Sequence, residues 1–449
     1  MSSYVEKVGG EDQGDVSSIR KVAMASAIGA TVEWYDFFLY GTAAGLVFGQ
    51  LFFPTFDPRV GTLVAFLTGV AGFAARPIGG IIFGHFGDRV GRKTMLVITI
   101  LMMGVATFLM GLLPTYAQIG IWAPILLLTL RVLQGIALGG EYGGAVLMTA
   151  EHAPEERRGF YTSWVQVGAP AGLCLGTLVF TLLSLLPDEQ FLAWGWRVAF
   201  LLSVVLVAIG LYIRLQITES PAFAEVRETQ TEVKVPFFEM LRTAPKEILI
   251  GMGLRLTEGV TFNIYGVWVI AYATGELGMS RTTVLLAVLI GAAIAVPFVP
   301  VWGAVTDRIG RRAVVAMGAL AFGLWAIPSM LLIDSRSIVG MYIAIIVAFG
   351  LIYPLAYAPV AAIWAELFPT RIRYTGVSFT YQFTGILTGL TPVIATALIG
   401  TGGGGSLAVG YYLIGIIIIT LVCCALLRPH LIKEMRPTGT GRQPARAEG

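Results

Sequence analysis

Long apolar runs separated by short clusters of charge organise this chain. Met95 to Leu113, Ala199 to Ile213 and Val339 to Tyr353 carry no charged residue at all. A helix rises 1.5 Å per residue, so about 20 apolar residues cross the ~30 Å of hydrocarbon in a bilayer. Dividing the sequence at its charge and Pro/Gly clusters predicts twelve such helices, beginning near Val22, Thr62, Thr94, Ile121, Tyr161, Trp196, Glu247, Thr282, Ala313, Val339, Thr375 and Leu407. The ten-residue apolar/polar alternation of a membrane β-barrel is absent. The pattern predicts an all-α membrane protein of twelve transmembrane helices.

Composition turns that pattern into an exclusion. Hydrophobic residues make up 56% of the 449 and charged residues 13%, about half the charged share of a soluble domain. A water-facing surface cannot be assembled from so few charges, which excludes a soluble enzyme, a nucleic-acid binder and a disordered scaffold. The lipid bilayer is the first partner implied. A net charge of +3 gives no bulk electrostatic reason for an acidic partner. Cys174, Cys423 and Cys424 lie inside apolar runs without metal-ligand or disulfide spacing and read as buried thiols. The first twenty residues carry Glu6, Glu11, Asp12 and Asp15 and lack the apolar core of a signal peptide.

Charge placement sets orientation, because Lys and Arg are retained on the cytoplasmic side of short loops. With a cytoplasmic N-terminus, twenty-three of the 30 Lys and Arg residues fall in the tails and even-numbered loops. Arg59, Arg197, Arg281 and Arg336 fall outside, while Arg76, Arg131 and Arg255 fall within the bilayer. Both termini are therefore expected to be cytoplasmic. The expected organisation is a tail over 1–20, a six-helix bundle over 21–215, a linker over 216–245, a second six-helix bundle over 246–428 and a tail over 429–449.

The halves repeat. Gly84-His85-Phe86-Gly87-Asp88-Arg89-Val90-Gly91-Arg92-Lys93 after the second span is matched by Gly303-Ala304-Val305-Thr306-Asp307-Arg308-Ile309-Gly310-Arg311-Arg312 after the eighth. Ala150-Glu151 with Pro154 and Arg157-Arg158-Gly159 is matched by Ala365-Glu366 with Pro369, Arg371, Arg373 and Gly376. Glu33 with Tyr40-Gly41 is matched by Glu258 with Tyr265-Gly266. The pairs stand at nearly one offset, which predicts two pseudo-symmetric bundles. Such parallel repeats are a transporter architecture with the substrate site between the halves at mid-membrane.

These loops, the Arg131-x-x-Gln134-Gly135 motif of the fourth span and the twelve-span layout resemble the major facilitator superfamily over nearly the whole chain. Glu33-Trp34-Tyr35-Asp36-Phe37, Ala75-Arg76-Pro77-Ile78-Gly79-Gly80, Gly139-Gly140-Glu141-Tyr142-Gly143-Gly144 and Glu219-Ser220-Pro221-x-Phe223 further resemble its metabolite:proton symporter family. That family includes carriers of shikimate, 2-oxoglutarate, citrate, proline and betaine, and aromatic acids. Phe83-Gly84-His85-Phe86-Gly87-Asp88 and Trp122-Ala123-Pro124 are most similar to the shikimate-type members.

Buried charge supplies the candidate chemistry. Glu33 lies about eleven residues, or ~16 Å, into its span, and Arg76, Arg131, Arg255 and Glu258 come out at similar depths. Each costs ~2.5–3.5 kcal/mol at a helix centre, so each needs a partner or a function. The resemblance implies that Asp36, one turn from Glu33, pairs with Arg131 and that protonation releases the arginine. Glu33 is the rival proton site and Glu258 its counterpart in the second half. His85, His152 and His430 lie at or beyond span ends, too far out for a mid-membrane relay. Arg76 offers a bidentate fork to a substrate carboxylate, the alternative being a cross-helix salt bridge to Glu33 or Glu141. Arg255 is a second such cation, with Glu141 beside the same expected site. Trp34, Tyr35, Tyr40, Tyr142, Trp164, Tyr265 and Trp268 could wall a cavity, and Gln166, Asn263 and Gln382 could hydrogen-bond a small-molecule substrate, expected to be anionic. Lipid-facing or interhelical packing is the plainer reading for any one of the aromatics.

Asp88 and Asp307 stand at helix ends where a carboxylate meets Arg92, Arg311 or the positive N-terminus of a facing helix. With Arg89, Arg308, Glu151, Glu366, Arg157, Arg158, Arg371 and Arg373 they are expected to latch the cytoplasmic side, or merely to set topology. Gly87 to Thr94 superficially resembles a phosphate-binding loop, but Arg92 intervenes between Gly91 and Lys93 and no soluble strand precedes it. No cofactor is expected, protons being the coupling ion, and the chain is expected to work as a monomer. The leading expectation is proton-coupled uptake of a small organic acid. The second is uptake of a zwitterionic osmolyte such as proline or betaine, made less attractive by a tail from Arg428 to Gly449 without heptads. A transporter-like receptor or a drug exporter is the third.

Overall fold

A computed structural model of the chain describes residues 2–90, 92–139, 142–216, 236–369, 372–401 and 405–427. The expected tail over 429–449 and most of the linker lie outside these residues. Twelve helical spans follow in order: α1 (2–52), α2 (Pro58–Val90), α3 (Arg92–Leu112), α4 (Trp122–Leu138 and Tyr142–His152), α5 (Arg158–Leu183), α6 (188–216), α7 (245–275), α8 (Arg281–Ile309), α9 (Arg311–Asp334), α10 (Ile338–Leu367), α11 (373–401) and α12 (Leu407–Leu426). A short helix, Pro236–Thr243, precedes α7. The first helix already begins at Ser2, so the backbone of the expected tail is continuous with α1.

Among the described residues nine helices are long and apolar enough to cross a membrane. α3 contributes only the shorter apolar stretch Val97–Leu112, and α1 and α7 fall below that mark for a reason that bears on function: Glu33 and Asp36 lower the hydropathy of one, Arg255 and Glu258 that of the other. Large apolar side chains such as Leu324, Leu185 and Leu249 stand exposed on the outer surface, where lipid rather than water is their solvent. The two halves are also alike locally, though not in register. A π-helical widening occurs at Ala44–Phe48 in α1 and at Ile264–Trp268 in α7, the second displaced by more than one turn from the first when Glu33 is aligned with Glu258.

Within the first half α1 packs on α5 and α2 on α4; within the second α7 packs on α11 and α12, and α9 on α12. The halves meet along two seams, α5 against α8 and α2 against α11. Small residues bring backbones together where lipid supplies no hydrophobic drive. A Cβ added at Gly135 would sit 2.0 Å from the Gly72 carbonyl oxygen, and one at Gly139 2.0 Å from that of Arg76. This closeness of α2 and α4 is what delivers Arg76 and Arg131 to the middle of the protein. Phe73 of α2 crosses to α11, where a Cβ at Gly389 would lie 2.5 Å from its ring.

Candidate functional site

A cleft between the halves is lined by Glu33, Trp34 and Phe37 of α1, Arg76 of α2, Leu138 and Tyr142 of α4, and Tyr381 of α11. It is narrow, with room for about one water in this state, within about 290 Å³ of space that includes the open solvent it faces. Arg76, 4% exposed, lies with its guanidinium carbon 4.4 Å from the Phe73 ring centre, 4.8 Å from Phe37 and 5.9 Å from Trp34. Its Nε has no hydrogen-bond partner. Aromatic faces attract the cation and leave this in-plane N–H to a guest. The i, i+3 spacing puts Phe73 and Arg76 on one face of α2. On the opposite side of the cleft, Tyr142 and Tyr381 stack with ring centres 3.5 Å apart and planes 12° apart.

Behind the cleft in the first half lies a chain of buried polar groups. Arg131 donates to Gln134 Oε1, Gln134 Nε2 donates to Thr107 Oγ1 at 2.8 Å, and Thr107 donates to Asp36 Oδ2 at 3.1 Å. Among the described residues Asp36 makes no direct ion pair with Arg131: Gln134 and Thr107 stand between them. Oδ1 of Asp36 has no hydrogen-bond partner. The expected direct pairing is corrected accordingly, and the reason is geometric. Arg131 is drawn to two ring faces, with its guanidinium carbon 4.4 Å from Phe37 and 4.3 Å from Tyr40, so its nearest polar partner is one turn along its own helix.

The second half differs. Arg255 Nε donates to Glu258 Oε1 at 2.8 Å, a direct buried ion pair within α7. Nη1 of Arg255 donates to the Tyr381 carbonyl, and the guanidinium carbon stands 3.7 Å from the Tyr381 ring centre.

Of the side chains expected at the substrate site, Arg76, Trp34 and Tyr142 line the cleft, together with Glu33, expected as a proton site, while Arg255 stands behind Tyr381. Gln166 accepts from the Tyr142 hydroxyl at 2.6 Å and donates to the Tyr357 carbonyl across the interface. Gln382 donates to the Gly139 carbonyl at 2.9 Å. These two amides tie the halves together instead of facing the space. Tyr40 is bonded to Thr68 beneath Arg131. Asn263 turns back onto the Gly259 carbonyl of its own helix at 2.8 Å and lies away from the cleft. Tyr35, Tyr265 and Trp268 are taken up by Ala199, Ser329 and Tyr272. Glu141 lies outside the described residues.

At one end of the interface Asp307 of α8 accepts the Gly159 and Phe160 amides at 2.8 and 2.9 Å, a carboxylate on the positive end of α5 as expected from the loop motif. Beside it Glu366 of α10 receives Arg158 from the other half and Arg311 from its own. Arg308 is exposed outside this cluster. The side chains of Asp88, Arg89, Arg92 and Glu151, and the whole of Arg371, lie outside what is described. At the opposite end Arg59 grips Glu276 through two bonds of 2.8 and 2.7 Å, and Arg281 meets Asp188 at 3.1 Å, again between halves. Contacts between the halves are thus made at both ends of the interface.

Phe73, Thr107 and Tyr381 were not apparent as site residues from sequence. Thr107 is one hydroxyl in an apolar run, and Tyr381 owes its place to the crossing of α11. The signal available was adjacency: Phe73 stands one turn before Arg76, and Tyr381 next to Gln382.

Known proteins are similar to this chain in sequence and in fold. Residues 22–247 match the family described as sugar (and other) transporters, and residues 251–447 match the major facilitator superfamily. The chain is 40% identical over 417 residues to the shikimate transporter of Escherichia coli (strain K12), covering 92% of this chain and 95% of that one. It is 36% identical over 419 residues to the proline/betaine transporter of the same organism, covering 91% and 83%. A solved proton:xylose symporter aligns with a TM-score of 0.70 at 17% identity, covering 92% of this chain and 95% of that one. With two repeated bundles, a cleft between them and relatives of this length, the chain belongs to the major facilitator superfamily and is a multi-pass membrane transporter, not an enzyme.

Proposed function

We propose that the protein imports a small organic acid together with protons by alternating access, with both termini in the cytoplasm. The observation that carries this reading is Arg76: a buried guanidinium in the cleft between the halves, framed by aromatic faces, with Nε unpartnered. A substrate carboxylate supplies what that site lacks. The similarity to a shikimate transporter supports an acid as cargo.

Asp36 is the proposed proton carrier. As an ionised group it ends a chain of donors running from Arg131 through Gln134 and Thr107. Protonation turns one of its oxygens into a donor, so the Thr107 bond weakens and the chain can reorient, freeing Arg131 to shift against Phe37 and Tyr40. Repacking at this point, where α1, α3 and α4 meet, is coupled to the two seams between the halves. The Asp307 and Glu366 cluster then serves as the cytoplasmic gate, and the Arg59–Glu276 pair as the outer one. No cofactor takes part, and a single chain carries the whole cleft.

Uptake of a zwitterion is the second reading, favoured by the similarity to proline/betaine transporters and by the aromatic faces, which also suit a quaternary ammonium. The two readings differ electrically. With one proton each, a monoanion crosses without net charge, whereas a zwitterion carries one positive charge and gains ~2.3 kcal/mol per 100 mV. Counterflow in proteoliposomes with labelled acids and zwitterions, followed by accumulation under an imposed potential, separates them. Exchange of organic acids is expected; exchange of zwitterions alone would end the acid reading.

A further inference from the structure

We propose that Tyr142 and Tyr381 are the two jaws of a clamp that selects a flat, conjugated substrate, an aromatic or heteroaromatic carboxylate, over a saturated one of the same size. The proposal names a substrate class for the cleft described above and rests on the transport reading.

The two rings belong to opposite halves, Tyr142 to α4 and Tyr381 to α11, and both line the cleft with Arg76. Each jaw is fixed from behind. The Tyr142 hydroxyl is anchored on Gln166 at 2.6 Å. Tyr381 is backed by the Arg255 guanidinium at 3.7 Å, itself pinned by Glu258. Trp364 closes the rear, edge-on to both rings at 6.1 and 5.7 Å. With the rings held this way, the gap between them changes when the halves move relative to one another.

The closed stack is an unfavourable way to pair two phenols. Aromatic rings prefer offset or edge-to-face contacts with centres ~4.5–7 Å apart, because stacking opposes two negative faces. Here the centres are 3.5 Å apart and the planes nearly parallel. Arg255 on the outer face of Tyr381 offsets part of that repulsion by drawing the ring's electron density towards itself. A flat guest entering as the halves separate would replace the phenol–phenol contact with two contacts that are free to slide into the favoured offset stack, at a separation of roughly twice the present one. Its carboxylate would reach Arg76 along the same cleft. A puckered saturated ring offers no face to either jaw and is thicker than the slot.

The test uses purified full-length protein in proteoliposomes and two matched pairs of competitors. Benzoate against cyclohexanecarboxylate compares flat and puckered acids; N-methylpyridinium-3-carboxylate against N-methylpiperidine-3-carboxylate compares flat and puckered zwitterions. The flat member is expected to compete at about tenfold lower concentration. Tyr381→Phe should retain that ratio and Tyr381→Leu should bring it close to one. A ratio near one in the unaltered protein, or an undiminished ratio in the leucine variant, would overturn the clamp, as would failure of both pairs to bind. If only the zwitterions bind and still show the tenfold ratio, organic-acid uptake fails while the clamp stands.

Discussion

In the first half Asp36 reaches Arg131 through two neutral side chains, with one carboxylate oxygen left without a donor. In the second half Glu258 receives Arg255 directly, three residues away on the same helix. Both acids stand on the helix that opens its half, and both are buried. The difference is one of freedom. A buried ion pair within one helix is costly to break, since removing one partner strands the other's charge, at ~3–5 kcal/mol. The Thr107 hydroxyl beside Asp36 can instead turn from donor to acceptor when the carboxyl is protonated, without uncovering a charge. Glu258 matches Glu33 and not Asp36 in the repeat, so the two halves are not copies here: one holds a fixed pair that braces Tyr381, the other a chain of neutral groups beside a carboxylate.

The largest effect that could break this contrast lies at Asp36. Asp36→Asn should abolish proton-driven accumulation, which falls to the equilibrium level, while counterflow persists; accumulation at the level of the unaltered protein would remove Asp36 from coupling. Glu258→Gln should act on stability instead, lowering the thermal unfolding temperature by an amount equivalent to ~3–5 kcal/mol. Replacing Arg255 and Glu258 together by leucine should recover much of that loss. A Glu258→Gln protein of normal stability but without proton coupling would invert the assignment of the two halves. Arg76→Lys exchanges a planar fork for a point charge and should weaken carboxylate binding about tenfold, or ~1.4 kcal/mol. Unchanged affinity would exclude Arg76 from the pocket.

The gates extend the comparison to smaller effects. Asp307→Asn removes a charge from the α5 N-terminus, worth ~0.3–2 kcal/mol, and should raise labelling of cysteines introduced along α5 and α8 from the cytoplasmic side. Equal labelling in the variant and the parent would show that the cluster is no latch. The Arg59–Glu276 pair is smallest, because its side chains are 43% and 34% exposed. Such pairs contribute about 0.2–1 kcal/mol and are screened by salt. Glu276→Gln should therefore change outer-face labelling slightly at low ionic strength and not at all in high salt.

The spans, the repeat and the ion-rich helix ends could be read from the chain because they follow from one-dimensional physics. About 20 residues of apolar sequence must be helical to satisfy their backbone in lipid, and a duplicated loop such as Asp88-Arg89 and Asp307-Arg308 is visible as text. The same reasoning located Glu33, Asp36, Arg76, Arg131, Arg255 and Glu258, since a charge in an apolar run stands out wherever the chain goes. It could not assign their partners. Which guanidinium meets an acid, which meets a ring face, and which amide crosses between halves depend on how close α2 and α4 approach through Gly72, Gly135 and Gly139, and on where α11 passes. Asn263 and Gln382 look alike in sequence, yet one folds back on its own helix and the other bonds the opposite half. Tyr381 carries no charge to betray it. It faces Tyr142 because two helices more than two hundred residues apart cross there, and only packing in three dimensions decides that.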